Sequence, residues 1–265
     1  MNAHAGLAWF ALALNLAATG AYVYAVFRQW RAGKSWSLWR LAFWLAGSVL
    51  LAAAFAPSIM AIAHIDLRWH MAQHLVIGML APLALVLAAP ATLLLRTLPT
   101  APARWVSGLL RGRYMRVVAH PFSALLLNMG GMYLLYLTPL YAASQQSDAL
   151  HAFVHIHFFL AGYLFCWAIL AGPDPSAHAS GFGVRLGALF LAMASHSILG
   201  KVMYGQLLPQ DTLHTAEQIR GAAQLMYYGG DLAEVLLLIA LLSFWLRDSE
   251  RRVGSTPDTR LARRS

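Results

Sequence analysis

Histidine is the residue whose spacing in this chain points to chemistry. His70 and His74 are four residues apart, and so are His151 and His155. On an α-helix that spacing sets both imidazoles of a pair on one face. Each pair falls in the first two turns of a long apolar stretch, so the two pairs are expected at one depth. His196 lies in a further apolar stretch, and Asp231 lies with Glu234 in the last one, behind Gln224, Met226, Tyr227 and Tyr228. Ionisable groups in such surroundings are costly and by default mark a functional site.

Imidazole nitrogen binds copper, zinc, nickel or iron, and two pairs on two helices can supply up to four ligands without any thiolate. The single cysteine, Cys166, sits inside an apolar run. An intramolecular disulfide, a CxxC redox pair and a multi-thiolate metal site are therefore excluded. Asp231 needs a partner at its depth: a bound cation, His196 or Lys201 would keep it ionised, or desolvation would keep it protonated. His4, His64, His178 and His214, taken singly, read as interfacial histidines that bond head groups or backbone. His157 is off the face shared by His151 and His155, and its role is open, as is that of Glu234. Ten methionines mostly fill space, and only Met71, Met203 and Met226 are placed by sequence to act as soft ligands.

The elements that must carry these residues follow from composition. Of 265 residues 60% are hydrophobic and 11% charged, with a mean hydropathy of +0.59. A water-soluble core and a disordered chain are both excluded. Apolar windows near the ~20 residues that a helix needs to cross a bilayer fall at 6–27, 38–63, 69–95, 122–141, 149–171, 183–204 and 219–246. The expected fold is all-α, a polytopic membrane protein of seven transmembrane helices. The first window lacks a charged leader and reads as a true span rather than a signal peptide.

Lys and Arg distribution sets the expected orientation. With the amino terminus outside, in the periplasm, only Arg68, Lys201 and Arg220 of the 19 basic residues fall on the outer side. The carboxyl terminus is then cytoplasmic, and both histidine pairs face the periplasm. The formal charge of +9 thus reflects short loops in a bacterial inner membrane, and nucleic acid is not an expected partner. Residues 1–246 read as one transmembrane domain. Within it, 103–118 mixes Arg with Trp, Leu, Tyr and Val as an interfacial cytoplasmic helix whose arginines meet anionic lipid. Residues 247–265 read as a basic, disordered cytoplasmic tail. Gly172-Pro173-Asp174-Pro175 reads as a tight inner loop, His120-Pro121 as a helix start, and Gly130-Gly131 and Gly229-Gly230 as close-packing positions.

Several of these stretches, in order, carry a resemblance. They are Arg68-Trp69-His70-Met71-Ala72-Gln73-His74 with Ala81-Pro82, His120-Pro121, His151 through His155 and His157 to Gly162, Gly172 to Pro175, and Glu217-Gln218 through Gly221 to Gly230-Asp231. Over about 63–245 the chain resembles the seven-helix CtaG family of assembly factors for caa3-type cytochrome c oxidases. Ala81-Pro82 stands where that family has paired prolines. The resemblance implies a non-enzymatic role in maturing a terminal oxidase by handling copper, with oxidase subunits and a periplasmic copper donor as partners. His70, His74, His151 and His155 would then form the outer metal site, with His196 and Asp231 as a lower ligand or an orienting group. Two other chemistries fit the same residues. One is an intramembrane zinc hydrolase acting on lipid amides, in which an open coordination position activates water. The other is bis-histidine haem ligation between the third and fifth spans.

Overall fold

The computed structural model describes residues 3–172, 174, 178–210 and 212–253, and they contain helices and no strand. In chain order these are α1 (Ala3–Arg31), α2 (Leu38–Ala54), α3 (Pro57–Ile65) and α4 (Leu67–Leu75). A π turn at Val76–Leu80 leads into α5 (Ala81–Leu87), followed by α6 (Pro90–Thr97), α7 (Thr100–Arg111) and α8 (Arg113–Val118). Then come α9 (Pro121–Leu137), α10 (Leu140–Gln146), α11 (Asp148–Leu170), α12 (Phe182–Gln206) and α13 (Ala216–Val253). Five stretches are long and apolar enough to cross a membrane, and up to seven if each of two bent pairs is one span.

Prolines account for the bends. The second apolar window breaks before Pro57, where α2 and α3 meet at 53°, and the fourth breaks at Thr138-Pro139, where α9 and α10 meet at 80°. The third window runs past its helix: α5 stops at Leu87, Ala89 is left-handed with φ of 55°, and α6 restarts at Pro90. The interfacial stretch 103–118 is two helices split at Gly112, and neither buries a residue. Its Trp105, Leu109, Tyr114 and Val117 are exposed beside the arginines. The last helix continues to Val253, so the first seven residues of the expected tail are helical; 254–265 lie outside the described residues.

Asp174 does more than turn a loop. Buried, its carboxylate accepts from the backbone N–H of Ala91 (2.8 Å) and of Thr92 (2.6 Å). Those are orphan donors in the first turn of α6, whose own preceding residue, Ala89, has no side chain to cap them. The Trp167 indole donates to the Asp174 carbonyl at 3.0 Å, and Arg185 donates to the last carbonyls of α11, Ile169 and Leu170. Pro173 and Pro175 are outside the described residues.

The centre of the bundle is the contact between Leu67–Leu87 and α11. In the apolar windows of these two, 67% and 61% of residues are buried, against 11% for the first helix. They are the interior pair, and they carry the histidines. Pro82 lacks an N–H and its ring would meet the carbonyl four residues back, that of Gly78. The helix absorbs this by a π turn in which Ala81 bonds to Val76, five residues back. The Gly78 carbonyl then lies against Gly162, so closely that a Cβ there would overlap its oxygen. Glycine at 162 is thus required by packing.

Gly162→Ala is expected to destabilise the chain by about 1–3 kcal/mol or more, the range for overpacking a close contact. Gly130→Ala is the control, because a Cβ there meets only a Leu126 methyl at 3.7 Å. Thermal unfolding in detergent should separate the two variants; equal midpoints would remove the packing account.

Candidate metal centre

Asp66 starts the helix that holds the first histidine pair. It caps α4 by accepting from the Arg68 backbone N–H at 2.9 Å, and the Arg68 guanidinium donates to both its oxygens at 2.7–3.1 Å. That hydrogen-bonded charge holds the Asp66 carboxyl below the usual carboxylate range, so the cap stays ionised at neutral pH. At the neighbouring helix start, the Ser147 hydroxyl accepts from Leu150 N–H at 3.4 Å and begins α11. The two helices run side by side in the same direction.

The four imidazoles meet between them. Ring centroids are 4.2 Å apart for His70–His74 and 4.4 Å for His151–His155. Across the helices they are 5.2 Å for His74–His155, 5.8 Å for His70–His151 and 6.2 Å for His70–His155. All four are buried. His64, which taken singly reads as an interfacial histidine, joins them: its ring is 5.0 Å from His151, and its Nδ1 lies 3.1 Å from the Gln145 side-chain oxygen. Phe55, Phe158 and Tyr141 wall the group, the last edge-on to His70 at 5.2 Å.

Among the described residues, neither ring nitrogen of His155 nor Nε2 of His74 has a hydrogen-bond partner. Buried polar atoms without partners are few in native structures, and a bound ion is one of the things that satisfies them. Imidazoles held at about 2.0 Å by one tetrahedral ion would have centroids about 5 Å apart, within the spacing seen here. The donor atoms themselves are not yet gathered: among the described residues no group of three or more His, Cys, Asp or Glu side chains is arranged to hold an ion as it stands. Spacing fits an ion, and ring orientation would have to change to meet it.

Tyr136 is a site residue that sequence reasoning missed. Its hydroxyl is 2.8 Å from His74 Nδ1 and donates to the Met71 sulfur at 3.8 Å. A phenol has one proton. With that proton on sulfur, His74 must donate from Nδ1, which leaves Nε2 with its lone pair. The opposite tautomer would strand a buried Nε2–H without an acceptor, the costlier choice. A ring fixed through Nδ1 with Nε2 free is the usual state of a histidine ligand.

The lower pair differs from expectation. His196 is buried, but Asp231 is only half-buried and accepts from the Ser197 hydroxyl at 3.3 Å. The group facing His196 is Glu234, equally buried, with Oε1 3.6 Å from Nδ1. Lys201 turns to the Tyr227 ring instead. Gly230 makes the room: a Cβ there would strike the His196 ring. The signal was present in α13, where Met226, Gly230, Ala233, Leu237 and Leu241 are buried at helical spacing. That stripe includes 234 and leaves 231 at its edge.

His157, His178 and His214 lie outside the group of rings. His157 donates to the Leu127 carbonyl at 3.1 Å, and His178 is bonded to the Arg111 carbonyl at the opposite end of the bundle. His214 lies 3.0 Å from the Tyr141 hydroxyl, and burial pulls its pKa below the usual histidine value. Of the soft-ligand candidates, Met203 and Met226 pack in the apolar cluster with Leu199 and Ile219, and only Met71 reaches the site.

Residues 20–248 match the family described as cytochrome c oxidase caa3 assembly factor, CtaG. The chain belongs to this family. It is 30% identical over 249 residues to an uncharacterised protein of Mycobacterium leprae (strain TN), an alignment covering 87% of this chain and 38% of that one. It is 33% identical over 247 residues to uncharacterised proteins of Mycobacterium bovis and Mycobacterium tuberculosis, covering 86% of this chain and 37% of each. The chain thus spans less than two-fifths of the length of these curated relatives. No solved structure matches it.

Removing the Tyr136 hydroxyl (Tyr136→Phe) should cost about 1–3 kcal/mol for the buried group left unpaired, read as a lower unfolding midpoint. Glu234→Ala should cost a similar amount, while Asp231→Ala should cost less than about 1 kcal/mol. An Asp231 variant more damaging than the Glu234 variant would reverse the assignment of His196's partner.

Proposed function

We propose that the chain is a non-enzymatic factor for cytochrome c oxidase maturation that takes copper at His70, His74, His151 and His155. The observation that carries this is four buried imidazoles from two parallel helices, with ring nitrogens of His74 and His155 that meet no partner among the described residues and the Tyr136 hydroxyl on His74 Nδ1. Imidazole without carboxylate or thiolate suits copper, which also tops the affinity order of divalent first-row metals. His196 and Glu234 lie deeper and serve as an orienting pair below the site. Oxidase subunits and a soluble copper donor are the partners this role requires.

The orientation expected from sequence has the same support in three dimensions. Arg68, Lys201 and Arg220 are on helix stretches at the histidine end, while Arg96, Arg104, Arg111, Arg113, Arg116 and Arg185 lie toward the other. Placing the poorer end in the periplasm, across a bacterial inner membrane of seven spans, satisfies the positive-inside rule. The exposed Arg and Trp of α7 and α8 then meet cytoplasmic lipid head groups.

The competing chemistries are less well served. A zinc hydrolase needs a base beside its metal-bound water, and the buried carboxylate nearest in depth, Glu234, faces His196. Haem needs a slot, and the cavity beside His74 is about 20 Å³.

The test is metal content of the purified full chain together with oxidase copper in cells. Copper should bind the wild-type chain, and His70→Ala or His155→Ala should weaken it by about tenfold or more while lowering copper in the oxidase. A chain that takes up no copper, or variants that leave oxidase copper intact, would overturn the proposal.

A further inference from the structure

Below the histidines, three methionines converge on one cavity. Met71 from α4, Met79 from the π turn and Met132 from α9 line a space of about 20 Å³, with His74, Tyr136 and Asn128 as its polar walls. That volume admits roughly one water, and so one bare ion. Met71 and Met79 lie two turns apart on the same side of one helix, and the π turn carries the second of them. Met132 comes from a helix distant in sequence. Space-filling methionines would close such a gap rather than border it.

We propose that Met71, Met79 and Met132 form, with His74 on the shared wall, a second metal site that takes a monovalent copper ion. This rests on the reading of copper as the cargo. Thioether sulfur is a soft donor that selects copper(I) over hard cations. All the donors are neutral, and the cost of burying an ion grows with the square of its charge, so a monovalent ion suits this apolar cavity far better than a divalent one. His74 supplies the directing observation. It is 7% exposed, lines the cavity, and its Nε2 has no protein partner. The Tyr136 hydroxyl joins the two sites, being bonded to both His74 Nδ1 and the Met71 sulfur. His74 therefore stands at the boundary between a nitrogen-rich mouth and a sulfur-rich floor. A copper(I) ion held by the histidines can pass to the sulfurs by exchange of ligands, with no change of oxidation state. Met79 and Asn128 also line a smaller cavity of about 10 Å³ beneath, which reaches Cys166 and Glu234.

The experiment is anaerobic copper(I) titration of the full chain in detergent, read by X-ray absorption at the copper edge. Three proteins are compared: wild type, the double variant Met79→Leu with Met132→Leu, and His151→Ala. Leucine keeps the volume, so the double variant is expected to fold. Wild type should show sulfur as well as nitrogen around copper. The double variant should lose the sulfur signal and one bound ion while keeping nitrogen-bound copper, and His151→Ala should keep the sulfur signal. A nitrogen-only shell in wild type, or a sulfur signal unchanged in the double variant, overturns the thioether site and leaves the histidine site standing. Absence of copper from wild type altogether overturns both.

Discussion

Burying several imidazoles next to one another is the constraint around which the bundle is organised. Each ring removed from water must find a hydrogen bond or an ion, and among the described residues neither ring nitrogen of His155 nor Nε2 of His74 finds one in protein atoms. The two helices that carry them must be interior, parallel and in register. Those conditions are met where the Gly78 carbonyl lies against Gly162, too close for a Cβ there. A proline four residues beyond Gly78 and a π turn between Val76 and Leu80 shape that contact just below His74. Helix geometry and site geometry are therefore one problem, solved at one place.

The surrounding elements close and tune the site. Because α10 turns 80° away from α9, it brings buried Tyr141 onto His70, and Gln145 bonds His64 at the end of α3. Asp66 and Ser147 start the two histidine helices with capping bonds of their own. At the far end Asp174 and Arg185 satisfy helix termini that apolar surroundings would leave bare. The arrangement is a group of imidazoles above methionine side chains, walled by aromatic rings.

Much of this was legible before any coordinates. Histidine spacing of four fixes which rings share a face, and the apolar windows find every long helix. Pairing between helices was not legible. Tyr136 sits 62 residues from His74, and nothing local to either announces the bond. Asp231 drew attention as an isolated charge, yet the buried stripe of α13 runs through Glu234. Asp174 looked like loop chemistry because its partners, Ala91 and Thr92, are more than 80 residues away. Breaks at Pro57, Pro90 and Pro139 were readable as prolines but not as angles. The helical run to Val253 was hidden by its charges, which mark solvent exposure as readily as disorder.

Family membership speaks to oxidase assembly, and copper at the histidine cluster is the proposal that joins the cluster to it. Pulsed electron paramagnetic resonance of the copper(II)-loaded chain, with and without ¹⁵N-histidine labelling, tests that proposal most directly. The account predicts modulation from the remote nitrogens of more than one imidazole, changed by the label and reduced in His155→Ala. Copper bound with no histidine nitrogen in its shell, or a spectrum that His155→Ala leaves untouched, would contradict it.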